Sequence, residues 1–259
     1  MSGCVAPVRR FAMPLKEEFE KAGNRLFRRR SYLPFFSIVL FVLAFRHFSY
    51  PLGSHRLDQL WEILCLLISS FGLIIRALTA GYAPRRTSGR NTAKGQRADV
   101  LNTTGMYSIA RHPLYVGNFV ILLGISLFLR LWWFSLVYML LFFLYYERIM
   151  FAEEEYLRKK FGATYLDWAN KTPAFFPKFT NWQRPQLSFS FRTVLKREYL
   201  TFFGIVSAFA LLEVVGDWVV EGRFRLDWMW LIIFTVSLAI FLTIRILRKK
   251  TKILHARGR

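Results

Sequence analysis

Two short polar motifs hold the residue types of this chain that are most suited to chemistry. Residues 111–118 read Arg-His-Pro-Leu-Tyr-Val-Gly-Asn, at the point where a polar loop meets an apolar stretch. Residues 153–157 read Glu-Glu-Glu-Tyr-Leu and follow the next apolar hairpin. Basic side chains of the first motif can pair with carboxylates or phosphates, tyrosine rings can face a cation, and the glutamates can accept hydrogen bonds from hydroxyl or ammonium groups. Pro113 limits the two residues before it to extended backbone and can open a helix whose free N–H groups favour an anion. The motifs together predict one polar site at a membrane surface.

The composition predicts that these motifs belong to an integral membrane protein. Hydrophobic residues make up 54% of the 259 residues, yet the formal net charge is +21. Apolar and basic residues occur in separate blocks along the chain, which is typical of multi-pass membrane proteins. Nucleic-acid binding is not indicated, because the basic runs flank apolar stretches instead of alternating with exposed aromatic residues.

The cysteines and histidines do not indicate a disulfide framework or a metal site. The two cysteines, Cys4 and Cys65, lie far apart, and the four histidines are scattered along the chain. We therefore expect no bound metal.

The first thirty residues lack the apolar centre of a cleavable signal peptide, so we expect the first apolar stretch to be retained. Residues 15–27 have helical spacing, which fits an amphipathic helix on the membrane surface or a solvated tail.

Six apolar stretches predict an all-α, polytopic bundle of about six transmembrane helices, at residues 33–48, 60–78, 115–129, 131–146, 199–215 and 228–246. Nearly all lysines and arginines fall in the segments that six spans place on one side, which are 1–32, 79–114, 147–198 and 247–259. The positive-inside rule then predicts that both termini and both motifs are cytoplasmic. The predicted regions are a basic N-terminal segment at 1–32, two spans at 33–80, a core at 81–198 containing a loop, a helical hairpin and a return segment, and two further spans with a basic tail at 199–259.

The full motifs extend beyond their central residues. Gly105 to Gly117 reads Gly-x-Tyr…Arg-His-Pro-x-Tyr-x-Gly, and Glu153 to Tyr165 reads Glu-Glu-x-x-Leu-x-x-x-Phe-Gly-x-x-Tyr. The pair, in this order and separated by one apolar hairpin, resembles the membrane methyltransferases that include isoprenylcysteine carboxyl methyltransferase and the phospholipid methyltransferases. The resemblance covers about residues 60–178. It implies S-adenosylmethionine as methyl donor, a cytoplasmic cofactor site, and a lipid or lipidated acceptor in the membrane.

The resemblance also implies roles for individual residues. Cofactor contacts are implied for Tyr107, His112, Pro113, Leu114, Tyr115 and Glu153, and largely backbone contacts for Asp99, Val100, Leu101 and Asn102. By its side-chain chemistry, either Arg111 or His112 can pair with the cofactor carboxylate or with an anionic substrate. Glu154 is the nearest candidate base for an amine or hydroxyl acceptor. Enzymes that act on prenylated cysteine have an arginine four residues before the first glutamate. Here that residue is Ile149 and Arg148 precedes it, so Arg148 is the candidate substrate contact, rotated by about 100° on a helix.

Two other functions fit parts of this pattern. Sterol reductases of related architecture bind NADPH and carry an Arg-His-x-Asn-Tyr turn, but the proline and the glutamate motif favour methyl transfer. A non-catalytic membrane scaffold or a transporter is the third interpretation, and the spans lack the broken Gly/Pro-rich pair typical of transporters. Charges in or near the spans, at Glu62, Arg76 and Glu213, are either functional or interfacial.

Overall fold

The computed structural model describes residues 14–29, 33–50, 54–84, 87, 90–92, 95–222, 224, 227–251 and 253–254. Its helices are α1 (Leu15–Arg29), α2 (Leu33–Phe45), α3 (His55–Tyr82), α4 (Met106–Ile109), α5 (Pro113–Leu127), α6 (Trp132–Phe161), α7 (Ala163–Ala169), α8 (Phe191–Glu221) and α9 (Trp228–Lys250), with a 3-10 turn at Phe179–Asn181. A short antiparallel ribbon, β1 (Arg90–Thr92) and β2 (Gly95–Arg97), lies in the loop predicted within residues 81–198. Residues 51–53 and much of both basic termini lie outside the described residues.

Four helices are long and apolar enough to cross a membrane, namely α3, α6, α8 and α9. They coincide with four of the six predicted spans, and exposed leucine, isoleucine, valine and phenylalanine side chains lie along them. The other two predicted spans are also helical, but α2 has 13 residues and α5 has 15. At about 1.5 Å per residue they reach about 20 and 22 Å, less than the roughly 30 Å of a hydrocarbon core. The helical membrane bundle is therefore confirmed, with four spans of full length.

Helix α6 joins the fourth predicted span to the start of the return segment. We predicted a span at residues 131–146 and a charged, helix-forming stretch from Glu147 through Phe161. The structure has one continuous helix of 30 residues, which is about 45 Å long. Because this exceeds the thickness of the hydrocarbon core, the end of α6 that carries the glutamates projects beyond the bilayer. The span and the second motif therefore form one rigid element.

Glycines on α5 allow close packing against α3, as their seven-residue spacing predicts. A Cβ atom on Gly117 would lie 2.8 Å from the carbonyl oxygen of Gly72. On Gly124, a Cβ atom would lie 2.6 Å from the carbonyl oxygen of Cys65. No ordinary side chain fits at these distances, so the glycines bring the two backbones together and fix the first motif relative to α3.

Helix α1 confirms the predicted helical spacing and packs on the projecting end of α6. The Lys16 ammonium lies 3.2 Å from a Glu155 carboxylate oxygen. The Phe19 ring makes an edge contact with Phe151 at 5.9 Å between centroids. The N-terminal segment thus supports the element that carries the second motif.

Five helices present one end to the same region of the molecule. These are the C-terminal ends of α3, α6 and α9 and the N-terminal ends of α5 and α8, all of which contribute to the wall of one cavity. Helix α8 begins at Phe191, earlier than the predicted span, so residues on both sides of position 198 belong to one helix. The division of the chain into regions stays a prediction.

Candidate functional site

The Arg-His-Pro turn is held in place by the return segment. The backbone N–H of Arg111 donates to the carbonyl oxygen of Pro173 at 2.9 Å, and that of His112 donates to Ala174 at 3.1 Å. Pro113 follows at the first position of α5, where the missing N–H removes no helical hydrogen bond. These bonds fix the turn that leads into α5. The proline predicted extended backbone here, but His112 has φ −121° and ψ 58°, which is neither extended nor helical, because the two hydrogen bonds to the return segment set the turn.

The Gly-x-Tyr part of the motif is fixed by the same return segment. Gly105 has φ +61°, a left-handed conformation in which glycine is not strained. Its N–H donates to the carbonyl oxygen of Gln183 at 3.0 Å. The indole N–H of Trp168 donates to the carbonyl oxygen of Tyr107 at 3.1 Å. Hydrogen bonds within the protein therefore hold together the two polar segments that the hairpin separates in the sequence.

His112 lies between two carboxylates of the second motif. Its Nδ1 atom is 3.4 Å from Glu153 Oε2, and its Nε2 atom is 3.0 Å from Glu154 Oε1. The imidazole also stacks on the Tyr115 ring, with 5.5 Å between centroids and 14° between the ring planes. Burial lowers the pKa of His112, but hydrogen bonds and charge attraction from both glutamates outweigh it and raise the pKa above its usual 6.5. The arrangement therefore favours a buried imidazolium clamped between two carboxylates.

The three consecutive glutamates have different surroundings. Glu153 is buried, faces His112 and lines the cavity. Glu154 bonds His112 from the other side and lies 3.0 Å from Nε of Arg111. Glu155 pairs with Lys16 of α1. Since each step along a helix rotates the side chain by about 100°, adjacent identical residues reach three different neighbours.

The cavity between the five helix ends has a volume of about 640 Å³. This is within the range of about 300–1,000 Å³ common for small-molecule sites. Seven of the thirteen residues that the sequence singled out line it. These are Tyr107, Arg111, His112, Pro113, Leu114, Tyr115 and Glu153. Both motifs thus reach one common space, as predicted.

The remaining predicted residues lie beside the cavity or away from it. Glu154 supports His112 from behind, and Arg148 lies over the Phe19 ring of α1 with its guanidinium carbon 5.1 Å from the ring centroid. Among residues 99–102, Val100 forms a parallel bridge with Thr87, which itself lines the cavity. Neither Arg148 nor Glu154 is among the described residues of the cavity wall.

A buried ion pair on the cavity wall was missed by the sequence reasoning. Arg76 of α3 donates from Nε to Glu198 Oε2 at 2.8 Å and from Nη2 to Oε1 at 3.2 Å. Its third nitrogen donates to Asn118 in the first motif, and the Asn118 amide donates to the Tyr146 hydroxyl at 3.2 Å. Arg76 was recognised as a charge near a span, but nothing local in the sequence indicates its partner.

Residues 65–164 match the phospholipid methyltransferase family. The chain is 31% identical to the nickel-cobalt-cadmium resistance protein NccN of Alcaligenes xylosoxydans xylosoxydans, over 49% of this chain and 57% of that protein. It is 31% identical to the cobalt-zinc-cadmium resistance protein CzcN of Cupriavidus metallidurans, over 55% of this chain and 62% of that protein. It is 30% identical to the protein-S-isoprenylcysteine O-methyltransferase of Schizosaccharomyces pombe, over 44% of this chain and 46% of that protein. No solved structure matches the chain.

These comparisons confirm the resemblance to membrane methyltransferases. The matched region contains both motifs up to Thr164 and the hairpin between them. The chain spans about half to three fifths of the length of the curated relatives described above. The four long apolar helices and this family match support an integral membrane protein.

Proposed function

We propose that the chain is an S-adenosylmethionine-dependent methyltransferase that transfers a methyl group to a lipid-like or membrane-embedded acceptor. The observation that carries this proposal is the convergence of both motifs on one cavity, with His112 of the first motif bonded to Glu153 of the second. The match to the phospholipid methyltransferase family supports the reaction class.

The residues of the cavity fit the chemical groups of this cofactor. S-adenosylmethionine has a sulfonium, an ammonium, a carboxylate, a ribose diol and an adenine ring. Carboxylates suit its ammonium or its diol, and Glu153 supplies one on the wall. Cations suit its carboxylate, and Arg111 and Arg248 supply two. The rings of Tyr107 and Tyr115 suit the sulfonium, a cation–π contact of roughly 0.5–2 kcal/mol.

When bound, the cofactor supplies an electrophilic methyl group, and the chain supplies position and a suitable environment. The Arg76–Glu198 pair ties α3 to α8 across the wall and holds Asn118 of α5. The His112 clamp ties α5 to α6. Fixing these helices keeps the cavity dimensions constant, so that donor and acceptor meet in line and water is excluded. We infer that Glu154 is a positioning residue for His112 and Arg111.

An apolar acceptor could reach the cavity from the bilayer. Leu200 of α8 lines the cavity and is 55% exposed on the outer face of the helix bundle. A wall residue that also faces lipid marks a place where an acyl or prenyl chain can lie while its polar end enters the cavity. This supports a lipid or lipidated substrate. We further propose that the cavity faces the cytoplasm, because the lysines and arginines beside it follow the positive-inside pattern.

Calorimetry with protein in lipid nanodiscs tests the donor. We expect saturable binding of S-adenosylmethionine, weakened by tenfold or more in Glu153→Ala. The matched control is Glu155→Ala, which removes a glutamate of the same motif that faces α1, and this variant should bind like the unchanged protein.

The alternatives have distinct outcomes in the same assay. If the protein binds NADPH and not S-adenosylmethionine, the reductase function replaces the proposed methyltransferase function. If neither cofactor binds, the chain has no cofactor-dependent function at this site. Equal loss of affinity in the two glutamate variants would show that the second motif acts only through folding.

A further inference from the structure

Four buried carboxylates lie at the opposite end of the bundle from the cavity. Asp58 and Glu62 are on the first turns of α3, and Glu213 and Asp217 are on the last third of α8. Their exposed fractions are 0%, 0%, 1% and 0%. Arg76 lies eighteen positions after Asp58 on α3, which is about 27 Å along the helix axis. The methyltransferase motifs do not involve this cluster.

Three of the four carboxylates are oriented by a donor on one oxygen. Arg130 bonds Oδ1 of Asp58. The indole N–H of Trp230 donates to Oε2 of Glu62 at 2.8 Å. The Tyr50 hydroxyl donates to Oδ1 of Asp217 at 2.6 Å.

The other oxygen of each of these carboxylates is buried without a hydrogen-bond partner among the described residues. These atoms are Oδ2 of Asp58, Oε1 of Glu62 and Oδ2 of Asp217, and Oε1 of Glu213 is in the same state. Buried carboxylate oxygens normally accept a hydrogen bond or bind a cation. A donor on one oxygen with the other left free is the pattern of a carboxylate metal ligand held by a supporting residue.

Three of these carboxylates lie close enough to share one ion through one oxygen each. Ligand atoms of Asp58, Glu62 and Glu213 all lie within 4.8 Å of one another. Among the described residues, Arg130 is the basic side chain that forms an ion pair with this trio, and it pairs with Asp58. Several buried carboxylates with one paired arginine leave negative charge that is costly away from water. A divalent cation offsets that charge and satisfies the oxygens in one step.

We propose that Asp58, Glu62 and Glu213 bind one divalent metal cation at this end of the bundle. An all-oxygen ligand set suits hard cations such as Mg²⁺, Ca²⁺ or Mn²⁺. A second trio, His55, Asp227 and Glu213, has its ligand atoms within the same 4.8 Å limit and shares Glu213 with the first. Because His55 is partly exposed, this second trio forms a path by which a hydrated ion reaches the buried carboxylates. The sequence indicated no metal because these residues are distant along the chain.

Manganese titration of chelator-treated protein in nanodiscs tests the site, with free Mn²⁺ followed by electron paramagnetic resonance. We expect one Mn²⁺ per chain, and at least tenfold weaker binding in Glu62→Gln and in Glu213→Gln. The control is Asp167→Asn, which removes an exposed carboxylate near the other end and should leave the affinity unchanged. A proton shared between Glu62 and Glu213 is the rival state of this cluster. Absence of saturable binding, or unchanged affinity in both glutamine variants, overturns the metal site in favour of that state.

A second measurement keeps both glutamates in place, so its result does not depend on whether Glu62→Gln and Glu213→Gln fold. With 5-fluorotryptophan incorporated, substoichiometric Mn²⁺ should broaden the fluorine resonance of Trp230, which bonds Glu62, before that of Trp168 beside the cavity. Trp230→Phe and Trp168→Phe assign the two lines. Equal broadening of both lines, or earlier broadening of Trp168, contradicts the proposal. Neither result bears on S-adenosylmethionine binding, which concerns the other end of the molecule.

Discussion

Replacing His112 with glutamine should destabilise the fold substantially. The imidazole is 7% exposed and meets Glu153 and Glu154 on its two nitrogens. Charge-assisted hydrogen bonds contribute about 1.5–3 kcal/mol each, and a buried charge left without its partner costs about 3–5 kcal/mol. Because the glutamine amide can keep one hydrogen bond, we expect a net loss of about 3 kcal/mol. At about 2–4 °C per kcal/mol for a chain of this size, the melting temperature should fall by about 6–12 °C.

The pH dependence of the melting temperature distinguishes the effect of the His112 charge from that of its packing. The folded pKa of His112 is raised above 6.5 by the two glutamates, against the opposing effect of burial. The stabilisation is therefore fully present below about pH 6.5 and is lost as the pH rises through the folded pKa. The melting-temperature difference between the unchanged protein and His112→Gln should be largest near pH 6 and should shrink in alkaline buffer.

Melting curves followed by size-exclusion chromatography in detergent, from pH 6 to pH 9, measure this directly. His47→Gln is the matched control, because the His47 side chain is exposed and its ring makes an edge contact with Trp133. It should melt within about 1 °C of the unchanged protein, as surface changes usually do. A loss below about 2 °C for His112→Gln, or a difference that grows with pH, would refute the imidazolium clamp.

Three further predictions concern the packing that shapes the cavity. Gly124→Ala places a Cβ atom against the backbone of Cys65 and should cost about 1–3 kcal/mol in the free energy of unfolding, measured by denaturant titration in mixed micelles. Arg76→Ala leaves Glu198 buried and unpaired and should cost about 3–5 kcal/mol, while adding Glu198→Gln should recover part of that loss in a double-mutant cycle. Ser190→Ala removes the side-chain cap of α8 and should cost about 1 kcal/mol by the same titration. If none of these three variants lowers the free energy of unfolding, the result would contradict the packing described above.

Local sequence signals identified several of the residues that meet at the cavity, whose role stays a prediction. Pro113 predicted the start of α5, and the residues around it line the cavity together with Glu153. Hydropathy located the four long helices, because apolar stretches of sufficient length have few alternatives in a membrane protein. It did not show that the predicted span and the charged stretch after it form one continuous helix, α6, because charge marks the membrane surface but does not terminate a helix.

Contacts between distant residues could not be predicted in the same way. The bond between Arg76 and Glu198 joins residues 122 positions apart, and no periodicity relates them. The carboxylates of α3 and α8 meet only because the helices pack side by side. Arg148 shows the same limit, because its direction depends on the docking of Phe19 from α1.

Ultraviolet photolabelling with methyl-tritiated S-adenosylmethionine tests the central claim most directly. The protein in nanodiscs is irradiated with the labelled donor, digested, and the labelled peptides are sequenced, with and without excess unlabelled donor. We predict competable label on peptides that contain Tyr107, Tyr115 or Tyr146, which line the cavity. Label that is not competed, or that falls on peptides from the opposite end around Asp58, would contradict a donor site built from the two motifs.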